Sequence, residues 1–93
     1  MKNSKMNWSV RLAKEAERQL KRLPPDRQEV ILKHLREMRD DPFRENVKPL
    51  KGKKWKGRYR KRVGQYRIIF TPLHKERIVD ILLILLRSEK TYR

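Results

Sequence analysis

The sequence contains no cysteine, which excludes disulfide bonds and thiolate metal ligands. Its two histidines, His34 and His74, lie far apart and show no metal-ligand spacing. No apolar run approaches the roughly 18 residues of a membrane-spanning helix, and the polar start MKNSKMNWSV lacks the apolar segment of a signal peptide. We therefore expect a cytoplasmic protein that needs neither a metal ion nor another cofactor.

Acidic residues are scarce in the second half of the chain. Residues 1–46 hold 12 basic and 8 acidic residues, whereas residues 47–93 hold 15 basic and 3 acidic ones. The formal net charge is +16, and such an excess attracts polyanions with a strong dependence on salt. The length of 93 residues suits one domain, which we place at residues 7–93 after a loose lead-in at residues 1–6.

The first half of the domain predicts a strand followed by a helical hairpin. Residues 8–12 alternate apolar and polar side chains, as a half-buried strand does. Apolar residues then recur at helical spacing, at Ala13, Ala16, Leu20 and Leu23. Pro24-Pro25 ends this helix. A second helix of about residues 26–40 has an apolar side formed by Val30, Ile31, Leu35 and Met38.

The second half predicts a loop and three strands. Residues 43–54 are polar and predict a loop, and residues 55–63, a Gly64-Gln65 turn and residues 66–71 predict a β-hairpin. The apolar run RIVDILLILLR at residues 77–87 predicts a strand buried on both faces. The order β-α-α-β-β-β predicts an α+β fold in which a helical hairpin packs on one face of a small antiparallel sheet.

Alternation along the hairpin predicts which cations share a face. It places Arg58, Arg60 and Arg62 on one side, with Tyr59, Lys61 and Val63 on the other. On the next strand, the side of Arg67 is opposite to that of the apolar trio Tyr66, Ile68 and Phe70. Arg87 ends the last strand with the parity of Val79, Ile81, Leu83 and Leu85.

Two interpretations of this basic stretch stay open on the residues alone. Nine of the seventeen residues in KGKKWKGRYRKRVGQYR, at residues 51–67, are Lys or Arg. They could form a solvated edge that resists aggregation, or they could hold a phosphate group. Arg67 and Arg87 could likewise form structural salt bridges with Asp80 or Glu89.

Four segments resemble one known family. These are LKRLPP at the end of the first helix, VKPLKG before the hairpin, YRKRVGQYRIIF in it, and LLRSEKTYR at the C-terminus. Together they resemble the RelE/ParE superfamily of toxins from bacterial and archaeal type II toxin–antitoxin systems, and most closely the RelE-type mRNA interferases. The similarity covers roughly residues 7–92.

The resemblance implies a function and a site. RelE-like toxins are ribosome-dependent endoribonucleases that cleave mRNA in the decoding site. The family pattern carries over to a catalytic set of Arg60, Arg67, Arg87 and Tyr92. The remaining cations of the hairpin are then expected to bind RNA: Lys51, Lys53, Lys54, Lys56, Arg58, Lys61 and Arg62. The implied partners are the ribosome, mRNA and an acidic or amphipathic RelB-like antitoxin, with no membrane and no sequence-specific DNA contact.

Two alternatives accompany this interpretation. ParE-like members share the fold but inhibit DNA gyrase, and a non-catalytic RNA- or ribosome-binding module would also suit the charge. The well-known RelE-like enzymes carry Lys at the second-strand positions where this chain has Arg. Because Arg is a poor proton carrier, Tyr92 is the candidate for proton transfer.

Overall fold

Two helices lie against one face of a five-stranded sheet in the computed structural model, which describes residues 7–87. The elements are β1 (Ser9–Leu12), α1 (Lys14–Lys21), α2 (Pro25–Glu37), β2 (Val47–Pro49), a 3₁₀ turn (Lys53–Trp55), β3 (Tyr59–Val63), β4 (Tyr66–Leu73) and β5 (Ile78–Leu86). The strands are ordered β1-β5-β4-β3-β2. The predicted α+β class and helical hairpin are therefore confirmed.

The helical hairpin forms where the apolar spacing predicts it. Ala16 and Leu20 of α1 and Ile31 and Leu35 of α2 are the buried residues of the two helices. Pro25 begins α2, where its missing N–H costs no helical hydrogen bond. The helices end at Lys21 and Glu37, two or three residues before the predicted ends. None of the helices within residues 7–87 is long and apolar enough to cross a membrane.

The core lies between the helices and one face of the sheet. Ile68 and Phe70 of β4 are fully buried there, as are Val79 and Ile81 of β5. Tyr66 belongs to the same cluster, so β4 presents to the helices the apolar trio that alternation predicts. The cations of β3 and β4 that have the opposite parity therefore lie on the other face, which we call the open face.

The sheet differs from the predicted one in two respects. It has a fifth strand, β2, which pairs with β3 inside the segment predicted to be a loop. Three residues that end in a proline are too short to show alternation, and proline is tolerated because β2 is an edge strand. The sheet is also mixed, since β1 runs parallel to β5 while the other pairs are antiparallel.

The strand predicted to start at Trp55 begins only at Tyr59. Trp55 belongs to the 3₁₀ turn, and Gly57 follows with a φ of 78°, a conformation that a strand does not use. Arg58 thus precedes β3 and does not share the alternation of Arg60 and Arg62. Its guanidinium lies 5.5 Å from the centre of the Trp55 ring.

A β-bulge at Leu82 reverses the parity of β5. Ile69 pairs with Leu83 but Phe70 pairs with Ile81, so Leu82 is an extra residue on β5. Beyond the bulge Ile84 joins the core that Val79 and Ile81 occupy. Residues of the parity of Leu83 therefore turn to the open face. Arg87 shares that face with Leu83 and Leu85, as predicted, but the prediction that Val79 and Ile81 lie on the same side is wrong, because the bulge comes between.

Helix α1 stabilises β5 beside the bulge. The parallel pairing of β1 with β5 ends at Ile81. Past that point the side-chain oxygen of Gln19 accepts a hydrogen bond from the backbone N–H of Ile84 at 2.6 Å. A backbone donor that would lack a strand partner on this side is satisfied by the helix.

Lys61 is buried on the helical side of the sheet. It is only 4% exposed, and its Nζ donates a hydrogen bond to the carbonyl oxygen of Glu45 at 3.0 Å. Burial lowers the pKa of Lys61, while the carboxylates of Glu45, Glu37 and Asp41 raise it. The structure therefore does not bring Lys61 to the face where it was expected to bind RNA, because its parity in β3 points it at the core.

Adjacent residues of α2 test the orientation of the helix. Ile31 is fully buried, whereas Val30 is 45% exposed. We expect Ile31→Ala to lower the free energy of unfolding by about 2–5 kcal/mol, and Val30→Ala to change it by less than about 0.5 kcal/mol. Urea unfolding of both variants measures this, and equal losses would contradict the packing described here.

Lys61→Met tests the burial of the ammonium group. Because burial lowers the folded-state pKa of Lys61 below 10.5, the unfolded chain holds this proton more tightly. The wild-type protein should gain stability relative to the Met variant as the pH rises through the folded-state pKa toward 10.5. Urea unfolding of both proteins across the alkaline range measures the difference. A difference that does not vary with pH would show that the pKa of Lys61 is the same in the folded and unfolded states.

Candidate phosphate-binding site

Four arginines meet on the open face near the turn between β3 and β4. Arg60 and Arg62 come from β3, Arg67 from β4, and Arg87 directly follows β5. Arg62 and Arg67 are directly opposite each other in the β3–β4 ladder, which places their Cα atoms about 4.5–5.5 Å apart. We call these four residues the arginine cluster.

Arg87 reaches the arginine cluster because the bulge turns it to this face and the neighbouring turn holds it. Its backbone N–H donates to the carbonyl oxygen of Gln65 at 2.6 Å. Its Nη1 lies 3.5 Å from the carbonyl oxygen of Gly64. An open cavity of about 420 Å³ is lined by Gln65, Arg67, Leu86 and Arg87. The structure thus places Arg67 and Arg87 on the wall of one cavity.

Like charges and burial act together on this cluster. Burial lowers the pKa of Arg67, and the charges of Arg60, Arg62 and Arg87 lower it further. The pKa of Arg60 is lowered by burial first and then by Arg62 and Arg87. Within the described part of the chain, every charge that shifts these two pKa values is an arginine. A bound anion would relieve this repulsion.

The one carboxylate of β5 lies elsewhere on the sheet. Asp80 forms an ion pair with Arg11 of β1 at 3.3 Å. In the ladder it faces Thr71, whereas Arg67 faces Leu85. The second acidic residue considered as a salt-bridge partner, Glu89, lies outside the described residues.

The predicted catalytic set is brought together as far as the structure describes it. Arg60, Arg67 and Arg87 share the open face, and Tyr92 lies outside the described residues. Guanidinium groups match phosphoryl oxygens in a bidentate geometry and stay protonated at any physiological pH. The chemistry of these three side chains suits binding of a phosphate, whereas it does not suit the transfer of a proton.

The lysines predicted to bind RNA form a separate exposed group. Lys51, Lys53, Lys54 and Lys56 are exposed residues that precede β3. The start of β3, at Tyr59, faces Phe70, whereas Arg62 faces Arg67 near the turn. Three residues of strand separate these points by about 10 Å. The Nζ of Lys54 lies 5.6 Å from the centre of the Trp55 ring, which the Arg58 guanidinium also contacts.

The sequence interpretation did not include the residues that β2 contributes. A second cavity of about 390 Å³ is lined by Asn46, Val47, Lys48, Arg60 and Arg62. Lys48 faces Arg60 in the β2–β3 ladder, and Asn46 directly precedes β2. The segment VKPLKG contains β2, but nothing in its pattern reveals which strand it pairs with. Gln65 was recognised only as a turn residue.

Comparisons with known proteins agree with this architecture. The chain is similar to the archaeal RelE of a RelE–RelB complex from Pyrococcus horikoshii, with 27% identity, a TM-score of 0.77, and coverage of 91% of this chain and 100% of that chain. It is also similar to a chain of the toxin–antitoxin complex RelBE2 from Mycobacterium tuberculosis, with 25% identity, a TM-score of 0.77, and coverage of 87% and 99%. No curated protein sequence matches it.

Similarity at lower identity supports the fold alone. The isolated Escherichia coli RelE toxin has 17% identity, a TM-score of 0.73, and coverage of 91% of this chain and 89% of that chain. The family model described as "ParE toxin of type II toxin-antitoxin system, parDE" matches residues 10–91, which is most of the chain. The protein is therefore a member of the ParE toxin family of type II toxin–antitoxin systems, within the RelE/ParE superfamily.

Proposed function

We propose that this toxin is a ribosome-dependent endoribonuclease that cleaves mRNA in the cytoplasm and so inhibits translation. The observation that carries the proposal is the convergence of Arg60, Arg62, Arg67 and Arg87 on one face. Such a cluster suits a phosphodiester because its charge repulsion falls when the phosphate binds. The sequence resemblance to RelE-type enzymes supplies the reaction class.

The proposed reaction uses the nucleophile that RNA carries. The 2′-hydroxyl loses its proton and attacks the adjacent phosphorus, while the bond from phosphorus to the 5′-oxygen breaks. The products are a 2′,3′-cyclic phosphate and a 5′-hydroxyl that has gained a proton. Arg67 and Arg87, on one cavity wall, would bind the phosphoryl oxygens and stabilise the added negative charge of the transition state.

Proton transfer is assigned to a group outside the arginine cluster. Arginine remains protonated even where burial and neighbouring charges lower its pKa. Tyr92 remains our candidate, because a cationic environment favours the phenolate form of a tyrosine. The ribosome would hold the mRNA in the in-line geometry that a site of arginines cannot impose alone.

An antitoxin is the proposed protein partner. Two of the similar structures are toxin–antitoxin complexes, one of RelE with RelB and one of RelBE2. An acidic or amphipathic antitoxin would complement the net charge of +16. By covering the open face it would block access of RNA to the arginine cluster.

Inhibition of DNA gyrase is the second candidate function. The family model that matches the chain is that of ParE toxins, and ParE-like toxins are non-catalytic gyrase inhibitors. In this case the arginine cluster would contact DNA or an acidic surface of the enzyme, and no proton carrier would be needed.

Primer extension on a defined mRNA, with and without programmed ribosomes, tests the nuclease. We expect cuts within the codon in the decoding site only when ribosomes are present. Arg67→Ala and Arg87→Ala should each lower the cleavage rate by roughly two to three orders of magnitude, as the loss of other transition-state charge donors does. Tyr92→Phe should lower it as well if Tyr92 transfers a proton.

Arg27→Gln on the exposed side of α2 is the control, since it removes the same charge away from the open face. If no variant differs from this control, or if purified protein cuts naked RNA equally well, the proposed mechanism is wrong. The absence of cuts together with inhibition of gyrase supercoiling would establish the second candidate.

The charge repulsion in the arginine cluster makes a prediction about stability. We expect Arg60→Gln to raise the melting temperature at about 0.1 M salt, because it removes a charge that Arg62 and Arg87 oppose. The gain should shrink near 1 M salt, where charges are screened within about 3 Å. Thermal unfolding measures both values. A gain that is independent of salt, or equal to that of Arg27→Gln, would contradict the repulsion.

A further inference from the structure

We propose that the cavity between β2 and β3 is a second phosphate subsite, which binds the phosphodiester next to the one held by Arg67 and Arg87. This inference rests on the proposed function, because it takes single-stranded RNA as the ligand. It assigns binding roles to Lys48 and Asn46, which the family resemblance does not include. We call this cavity the β2 subsite.

The lining of the β2 subsite is rich in donors for an anion. Asn46, Val47, Lys48, Arg60 and Arg62 enclose about 390 Å³. Lys48 is directly opposite Arg60 in the ladder, so their side chains share the open face. An ammonium, two guanidinium groups and an amide therefore surround a space larger than one water molecule needs.

The backbone holds this subsite in place. The N–H of Arg62 donates to the carbonyl oxygen of Asn46 at 3.0 Å. Asn46 has a φ of 56°, a left-handed conformation that asparagine tolerates better than most residues. The Nε of Arg62 is buried and has no hydrogen-bond partner within residues 7–87. A ligand oxygen can accept a hydrogen bond from this buried donor once the Arg62 side chain shifts toward the cavity.

The two phosphate positions are joined by shared residues. Arg60 and Arg62 line the β2 subsite and also belong to the arginine cluster. Neighbouring strands are about 4.8 Å apart, so a ligand crossing from β2 to β5 spans about 14 Å. A single phosphate cannot fill such a row. A chain of linked phosphates can, as in the charged grooves that follow a single-stranded backbone.

The test uses binding rather than cleavage, so that it does not depend on catalysis. The full chain is titrated with two ligands whose 2′-hydroxyl groups are replaced by hydrogen, a dinucleotide with one phosphodiester and a trinucleotide with two. NMR titration at low salt measures both affinities. The variants are Lys48→Gln and Asn46→Gly, where glycine keeps the left-handed backbone, with Lys33→Gln on the exposed side of α2 as control.

We expect Lys48→Gln to weaken binding of the trinucleotide several-fold while that of the dinucleotide stays unchanged. The dependence of log affinity on log salt should fall by about 0.7 for the trinucleotide, the amount expected for one lost phosphate contact on a single strand. Asn46→Gly should weaken binding of the trinucleotide but leave the dependence of log affinity on log salt nearly unchanged, because the amide carries no charge. Lys48→Arg should restore both quantities.

Three results would overturn the proposal. First, Lys48→Gln could have the same affinity for both ligands as the control Lys33→Gln. Second, it could weaken binding of the dinucleotide as much as binding of the trinucleotide, which would mean that there is one phosphate position and not two. Third, the protein could bind duplex DNA more tightly than the trinucleotide and in a way that depends on Lys48, which would mean that the ligand is duplex DNA and not single-stranded RNA. Because none of these ligands can be cleaved, failure of the nuclease hypothesis and failure of the β2 subsite give different results.

Discussion

The pairing of β4 with β5 is the constraint on which the rest of the structure depends. It buries Ile68, Phe70, Val79 and Ile81 against the helices, and its one irregularity, the bulge at Leu82, turns the end of β5 over. Without that extra residue, Arg87 would lie on the helical side of the sheet, away from Arg60 and Arg67. The same pairing therefore builds the core on one face and completes the arginine cluster on the other.

The two faces of the sheet differ in charge, although both bury apolar side chains, since Ile69 and Leu85 are buried on the open face. On the helical face apolar burial stabilises the fold, and even Lys61 gives its hydrogen bond to a backbone carbonyl there. On the open face burial lowers the pKa of Arg60 and of Arg67, and the charges of neighbouring arginines lower both values further. Like charges gathered in one place are a cost that functional sites commonly carry, and within residues 7–87 the charges that lower the pKa of Arg60 and Arg67 are all arginines.

Charge density along the sequence would not have located the arginine cluster. The lysines at residues 51–56 are the densest cations in the sequence, yet they lie before β3 and far along the strand from Arg67. Lys48, an isolated lysine in the sequence, lies directly opposite Arg60. Position in the ladder, and not local charge density, decides which cations lie side by side on one face of the sheet.

Local patterns in the sequence determined both helices, the Gly64-Gln65 turn and the three longest strands of the second half of the chain. They also determined the sides on which Arg60, Arg62 and Arg67 lie. Each of these features depends on neighbouring residues alone. Tertiary structure decided the parallel pairing of β1, the presence of β2 and the side of Arg87. These features depend on which distant strands form hydrogen bonds. The bulge at Leu82 lies in an unbroken apolar run, whose pattern does not indicate which residue is left unpaired. That one unpaired residue moved Arg87 to the open face.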